Sequence, residues 1–193
     1  MWRIVYFIPL LPFIAGWLLL FITEQFFGLS LVNGVSQLVL FAFIVCLPAW
    51  RTGRMSYVDI GWPWGLTLIG VLTYIYGEGE SLRVAIISIA YIFAGSRMGI
   101  GAIKLLISGH LDKELPRYEF QKKRWSKAGK KNTALAMQIE AILQGLANAS
   151  FLAFPAFIIS SNPSQEISIL EMIGIIIWLV SFIMESVADI QKL

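Results

Sequence analysis

The stretch from Ile167 to Ala188 reads ISILEMIGIIIWLVSFIMESVA, and between Glu171 and Glu185 it carries no charge. At 1.5 Å per residue an apolar helix of this length crosses roughly 30 Å of hydrocarbon. Five more runs of the same kind lie upstream, at about 4–23, 29–49, 57–76, 83–105 and 133–160. Backbone groups in lipid must be satisfied within their own segment, and no ten-residue alternation of apolar and polar residues argues for a barrel. The sequence therefore predicts an all-α, polytopic bundle of about six spanning helices in a single integral membrane domain.

Composition agrees. The 193 residues are 58% hydrophobic and 14% charged, against about 25% charged in a soluble domain. Cys46 is the only cysteine and lies inside an apolar run, so no intrachain disulfide or paired-cysteine metal site can form. His110 has no second His or Cys at ligand spacing, so no metal site is expected. The first run ends in Glu24-Gln25-Phe26-Phe27 without a small-residue cleavage site and is read as a span, not a signal peptide. Pro9, Pro12, Pro48, Pro63 and Pro155 predict kinks, and the fifth run is a candidate broken helix.

The net charge of +3 does not indicate nucleic-acid binding, because the cations collect between apolar segments. Arg51 and Arg54 follow the second run. Lys113, Arg117, Lys122, Lys123, Arg124, Lys127, Lys130 and Lys131 fill a basic connection at about 106–132, and Lys192 follows the sixth run. The connections after the first and fifth runs have no Lys or Arg. This bias places both termini and the basic connection in the cytoplasm, in the inner membrane if the source is bacterial. Membrane lipid is the expected surrounding partner.

Ionisable groups within spans cost about 2.5–3.5 kcal/mol each on insertion scales, so their presence asks for a reason. Asp59, Arg97, Glu140, Glu185 and Asp189 all lean toward the cytoplasmic half. Asp59 and Trp62 share a helix face at i,i+3, an acid beside an indole donor able to hold the polar end of a hydrophobic ligand; an interfacial aromatic belt is the plainer alternative. Gly95 and Gly99 frame Arg97 and make a small-residue face for close helix contact. Glu114-Leu115-Pro116-Arg117-Tyr118 opens the basic connection with a turn suited to an anionic ligand or to lipid headgroups. Glu140, Gln144 and Asn148 form a polar stripe at i,i+4,i+8 that faces protein or water, with interhelical hydrogen bonding as its simplest use. Glu185 and Asp189 stand one turn apart at a helix C-terminus, where the macrodipole disfavours acids; both are predicted to point into the bundle, with at least one near Arg97 or the Arg117 turn.

Taken together, Asp59-x-x-Trp62, Arg97, the Glu114–Tyr118 turn, Gln144-Gly145 followed by Pro155, and Glu185-x-x-x-Asp189-x-Gln191-Lys192 resemble the steroid 5-alpha-reductase-like membrane family, including its DUF1295 members. The likeness runs over most of the chain and is most specific from Trp178 to Lys192. It implies a multi-helix reductase that uses NADPH to reduce a carbon–carbon double bond conjugated to a carbonyl in a steroid-like or other lipid substrate, with the cofactor entering from the cytosol. It also implies kinship with isoprenylcysteine carboxyl methyltransferases.

On that resemblance Asp59 is the expected catalytic hydrogen-bond donor. Trp62, Glu140 and Gln144 are the substrate-binding residues, and Arg97, Arg117, Tyr118, Glu185 and Asp189 the cofactor-binding ones. Members of that family continue through a motif similar to Arg-His-Pro-x-Tyr, which does not occur in these 193 residues. The expectation is a shortened or split member, with a separate chain supplying the rest and weak NADPH binding by this chain alone. The competing readings are a non-catalytic membrane remnant, a lipid-binding partner subunit and a methyltransferase-like enzyme.

Overall fold

The computed structural model describes residues 7–130 and 132–191. Arg3, Lys131 and Lys192, which entered the charge count, lie outside the described residues. A 3-10 turn at Ile8–Leu10 leads into α1 (Leu11–Ile22), followed by α2 (Phe27–Phe41) and α3 (Leu47–Thr52). Next come α4 (Val58–Tyr76), α5 (Ser81–Ile107), α6 (Pro116–Lys127), α7 (Thr133–Ala149), α8 (Phe154–Ser160) and α9 (Ile169–Ile190). Among the described residues there is no strand.

Five stretches are long and apolar enough to cross a membrane: Glu24–Thr52, Val58–Tyr76, Ser81–Ile107, Thr133–Ser160 and Ile169–Asp189. They correspond to the second through sixth expected spans, and the chain is an integral membrane protein. The first expected span is described only as Ile8–Ile22, which covers about 24 Å and falls short of the hydrocarbon thickness.

Two of the expected kinks show a local irregularity, while Pro63 lies inside the continuous α4 and Pro9 and Pro12 stand in first turns. A π-helical turn at Ala42–Cys46 joins α2 to α3, with Pro48 in the first turn of α3; the wider turn accommodates a proline that cannot donate its own hydrogen bond. The fifth span does break, between α7 and α8. Ser150 leaves helical geometry at φ −120°, ψ −89°, Leu152 N donates back to Ala147 O, and Pro155 opens α8. The basic connection is a correction: most of it is helical. Tyr118 and Trp125 lie on one face of α6, Trp125 is buried against a cluster that includes Met55 and Met137, and the Lys and Arg side chains fill the other faces.

α4 is the hub, packed by α2, α5, α7 and α8. Its antiparallel contact with α5 is close because glycines line it. A Cβ on Gly95 would stand 2.5 Å from Thr67 N and 2.6 Å from Pro63 O, one on Gly70 would stand 2.7 Å from Ser88 O, and one on Gly99 would stand 2.8 Å from the Trp64 ring. The Gly95/Gly99 face thus meets α4 as expected. Where α2, α4 and α7 meet, three buried amides join. Gln37 Nε2 donates to Gly65 O (2.8 Å) and to Asn33 Oδ1 (3.2 Å), Asn33 Nδ2 donates to Asn148 O (3.4 Å), and Asn148 Nδ2 donates to Trp62 O (3.2 Å). Gly65 leaves the room: a Cβ there would lie 2.0 Å from Asn148 Nδ2.

The connections sort to two ends. At one, Gly79 N and Glu80 N donate to Ser160 O and Asn162 O. At the other, the segment before α4 meets the segment before α6. α9 stands apart from the bundle, and over 169–189 it has no buried residue; there only its stripe Glu171, Ile175, Trp178, Phe182 and Ser186 is half-buried, and large apolar side chains such as Ile169 and Leu170 lie outside. Apolar exposure on this scale suits a lipid solvent.

Candidate functional site

At the α4–α6 end, Glu114 is the residue that holds the local structure together. Its side chain is only 8% exposed. It accepts from Met55 N (2.8 Å), Ser56 N (3.2 Å), Ser56 Oγ (2.7 Å) and Lys122 Nζ (2.5 Å). The free N–H groups of the turn entering α4 thereby gain an anionic acceptor, the usual need of a helix N-terminus. Burial pushes the Glu114 carboxyl up, but Lys122 and the hydrogen bonds from Met55 and Ser56 outweigh it, so its pKa lies below the ordinary glutamate value. Arg54 adds a second tie by donating to Leu111 O and to Tyr57 Oη.

This clamp places Pro116 at the first position of α6, so that Arg117 and Tyr118 face α4. Tyr118 Oη donates to Asp59 Oδ1 at 2.6 Å, and Arg117 pairs with Asp59 Oδ2. Asp59 accepts in both contacts. The donors in this group are Tyr118 and Arg117. Burial first, then the hydrogen bond to Asp59, pushes the Tyr118 phenol well above its ordinary value, so it keeps its proton. Arg117 is lowered by burial but raised overall by Asp59.

A second group forms where α5 meets the end of α9. Arg97 Nη1 lies 2.8 Å from Asp189 Oδ2 and Nη2 lies 3.0 Å from Glu185 Oε1. The guanidinium sits over the Phe182 ring, 5.4 Å from its centroid. The two acids therefore meet Arg97, at the C-terminal end where helix physics alone disfavours them. Among the described residues the buried Arg97 Nε has no hydrogen-bond acceptor, which suits an additional oxygen ligand.

The remaining expected residues divide. Trp62 packs its ring between two apolar clusters and gives its carbonyl to Asn148. Glu140 and Gln144 are half-buried, and no hydrogen bond or ion pair among the described residues joins them to either group; the stripe meets the bundle through Asn148. The sequence reading missed Asn33 and Gln37, and it missed Arg83 at the opposite end. Arg83, 4% exposed, pairs with Glu171 at 2.6 Å. The pattern Ser168-x-x-Glu171 ahead of an apolar run is a capping-box signature that pointed to Glu171.

The family described as "Protein of unknown function (DUF1295)" matches residues 40–193, which takes in both polar groups and the chain from the last two residues of α2 onward. The chain belongs to the DUF1295 family. No curated protein and no solved structure matches it. As a DUF1295 protein it shares with its family a stretch that holds Asp59, Arg97, Arg117, Tyr118, Glu185 and Asp189, so the site's residues fall inside the family's extent.

Proposed function

We propose that this protein is an NADPH-dependent membrane reductase of a conjugated carbon–carbon double bond in a steroid-like or other lipid substrate, working at the bundle end that carries Asp59 and Arg97. That end faces the cytosol by the positive-inside rule; in a bacterium the membrane is the inner one. The observation that carries the reading is the pairing of two acids one turn apart with a half-buried arginine whose Nε lacks an acceptor among the described residues. Carboxylates accept from ribose hydroxyls, and a buried guanidinium takes a phosphate or ribose oxygen. The residues present therefore fit part of a dinucleotide, and Arg97, Glu185 and Asp189 would hold it. The exposed cations of α6 would meet the rest.

The bound nucleotide would supply a hydride to the beta carbon of the enone. Charge then develops on the carbonyl oxygen, and a fixed donor there lowers the barrier. Tyr118 would be that donor, its one O–H turning from Asp59 to the carbonyl oxygen while Arg117 keeps Asp59 paired and adds positive charge; Asp59 acts as a positioning residue. Protonation at the alpha carbon completes the reduction. Trp62 forms an apolar wall for the lipid, and Glu140 and Gln144, without hydrogen-bond or ion-pair partners among the described residues, would meet its polar groups.

The test uses native membranes, with the gene deleted or altered at its own locus and a 3-keto-4-ene steroid as probe substrate. Loss of NADPH-dependent reduction on deletion, with rescue by the wild-type gene, supports the reading. Unchanged reduction across a panel of lipid enones overturns it.

A further inference from the structure

α5 and α9 run side by side in the same direction and are tied at both ends. Arg83 meets Glu171 at one end and Arg97 meets Glu185 at the other, with equal sequence spacing on the two helices. Between the ties the helices do not close. A slot of about 640 Å³ remains, walled by residues that include Ile86, Ile87 and Ile89 of α5 and Ile175, Trp178 and Leu179 of α9. A Cβ on Gly174, which lines the slot, would meet nothing within 4 Å. The slot is of ligand size.

One end of the slot is chemically marked. Arg83 lines it, and its Nη1 is buried with no hydrogen-bond partner among the described residues, although Nε and Nη2 are taken by Glu171 and by Glu166 O. At the other end the Tyr91 hydroxyl is taken up by Leu152 O at 2.6 Å. The unmet polar need in the wall is one N–H donor. Its charge, however, is already balanced by Glu171, and Glu80 accepts from Arg83 N close by. A second anion would bring a further negative charge beside Glu171, whereas a neutral carbonyl would satisfy Nη1 without that repulsion.

We infer that this slot is a lipid-binding site for a neutral, linear, long-chain molecule with a carbonyl at one end, the carbonyl oxygen accepting from Arg83 Nη1 and the chain lying along α5 and α9. The distance from Arg83 to Tyr91 along α5 is about 12 Å, room for the upper part of an acyl chain. The site is separate from the Asp59 and Arg97 groups, at the opposite end of α5, so its failure leaves the reductase reading standing.

The experiment uses the full chain purified in nanodiscs and methyl palmitate carrying a mid-chain diazirine. Photolabelling is expected to saturate, to map to residues 86–91 and 174–179, and to be competed about tenfold better by unlabelled methyl palmitate than by palmitate or hexadecane. Gly174→Leu fills the open space without a clash and is expected to cut labelling at least about fivefold with unchanged thermal unfolding. Arg83→Lys should remove the preference for the ester over hexadecane; where that variant does not fold, Gly174→Leu decides. Labelling that rises linearly with probe and is equal in Gly174→Leu is bulk lipid and overturns the site. Stronger competition by palmitate overturns the neutral headgroup.

Discussion

Replacing Glu114 with Gln removes one negative charge from a site where four donors converge. Gln keeps a single acceptor oxygen and turns an NH₂ toward groups that are themselves donors, Met55 N at 2.8 Å and Lys122 Nζ at 2.5 Å. Hydrogen bonds to charged groups contribute about 1.5–3 kcal/mol each, and removing one partner of a buried pair costs about 3–5 kcal/mol. Lys122 is 27% exposed and can turn to solvent, so the lower part of that range applies, about 3 kcal/mol. For a domain of this size the loss corresponds to a fall in Tm of about 6–12 °C.

The assay is thermal unfolding in detergent followed by the emission of Trp125, which is buried against Met55 and so reports the α4–α6 junction directly. The pH dependence has a definite sign. The folded pKa is depressed, so the stabilisation by Glu114 is present above the unfolded value near 4.3–4.5 and is lost as pH falls through the lower folded value. Wild type should approach the Glu114→Gln variant in Tm under acid and separate from it at neutral pH. A neutral-pH difference under about 1 °C would refute the role assigned to this clamp.

Three further outcomes follow from the packing and the charges. Gly95→Ala should lower the Tm more than Gly99→Ala, because the added carbon meets backbone of α4 in the first case and a movable Trp64 ring in the second; equal effects would contradict the close approach. Gly65→Ala should unfold or loosen the bundle as severely as Asn148→Leu, since both disrupt the same amide cluster, and a Tm within about 2 °C of wild type would show the cluster to be idle. Reporter fusions after Gly129 and after Asn162 should fall on opposite sides of the membrane, the first cytoplasmic; the same side for both would make the α7–α8 segment re-entrant.

Hydrophobic run length marked the five stretches long enough to span, because each lipid-exposed segment must satisfy its own backbone, but it also marked the first run, described only as the shorter Ile8–Ile22. Local physics also exposed Glu185 and Asp189, which sit where a helix end should carry cations, and Arg97 between two glycines. What sequence could not supply was pairing at long range. Asp59 was legible as a buried acid, but its role as an acceptor depends on Arg117 and Tyr118, 58 and 59 residues away. Arg83, at the edge of the fourth apolar run, gains its meaning only when α9 brings Glu171 to it across 88 residues. The Glu140, Gln144, Asn148 spacing correctly marked one helix face, yet only Asn148 lies at the depth where α2 and α4 offer partners. The helix inside the basic connection was hidden by composition, since a surface helix packed through one Tyr and one Trp looks like a charged loop when residues are only counted.

The central claim is that two polar groups at one end divide the work, Arg97 with its acids holding the nucleotide and Tyr118 polarising the substrate. Steady-state kinetics in native membranes separate them most directly. Asp189→Asn should raise the KM for NADPH about tenfold with little change in that for the lipid enone, while Tyr118→Phe should lower kcat about a hundredfold and leave the NADPH KM unchanged. Both variants affecting the two parameters alike, or neither affecting them, would contradict it.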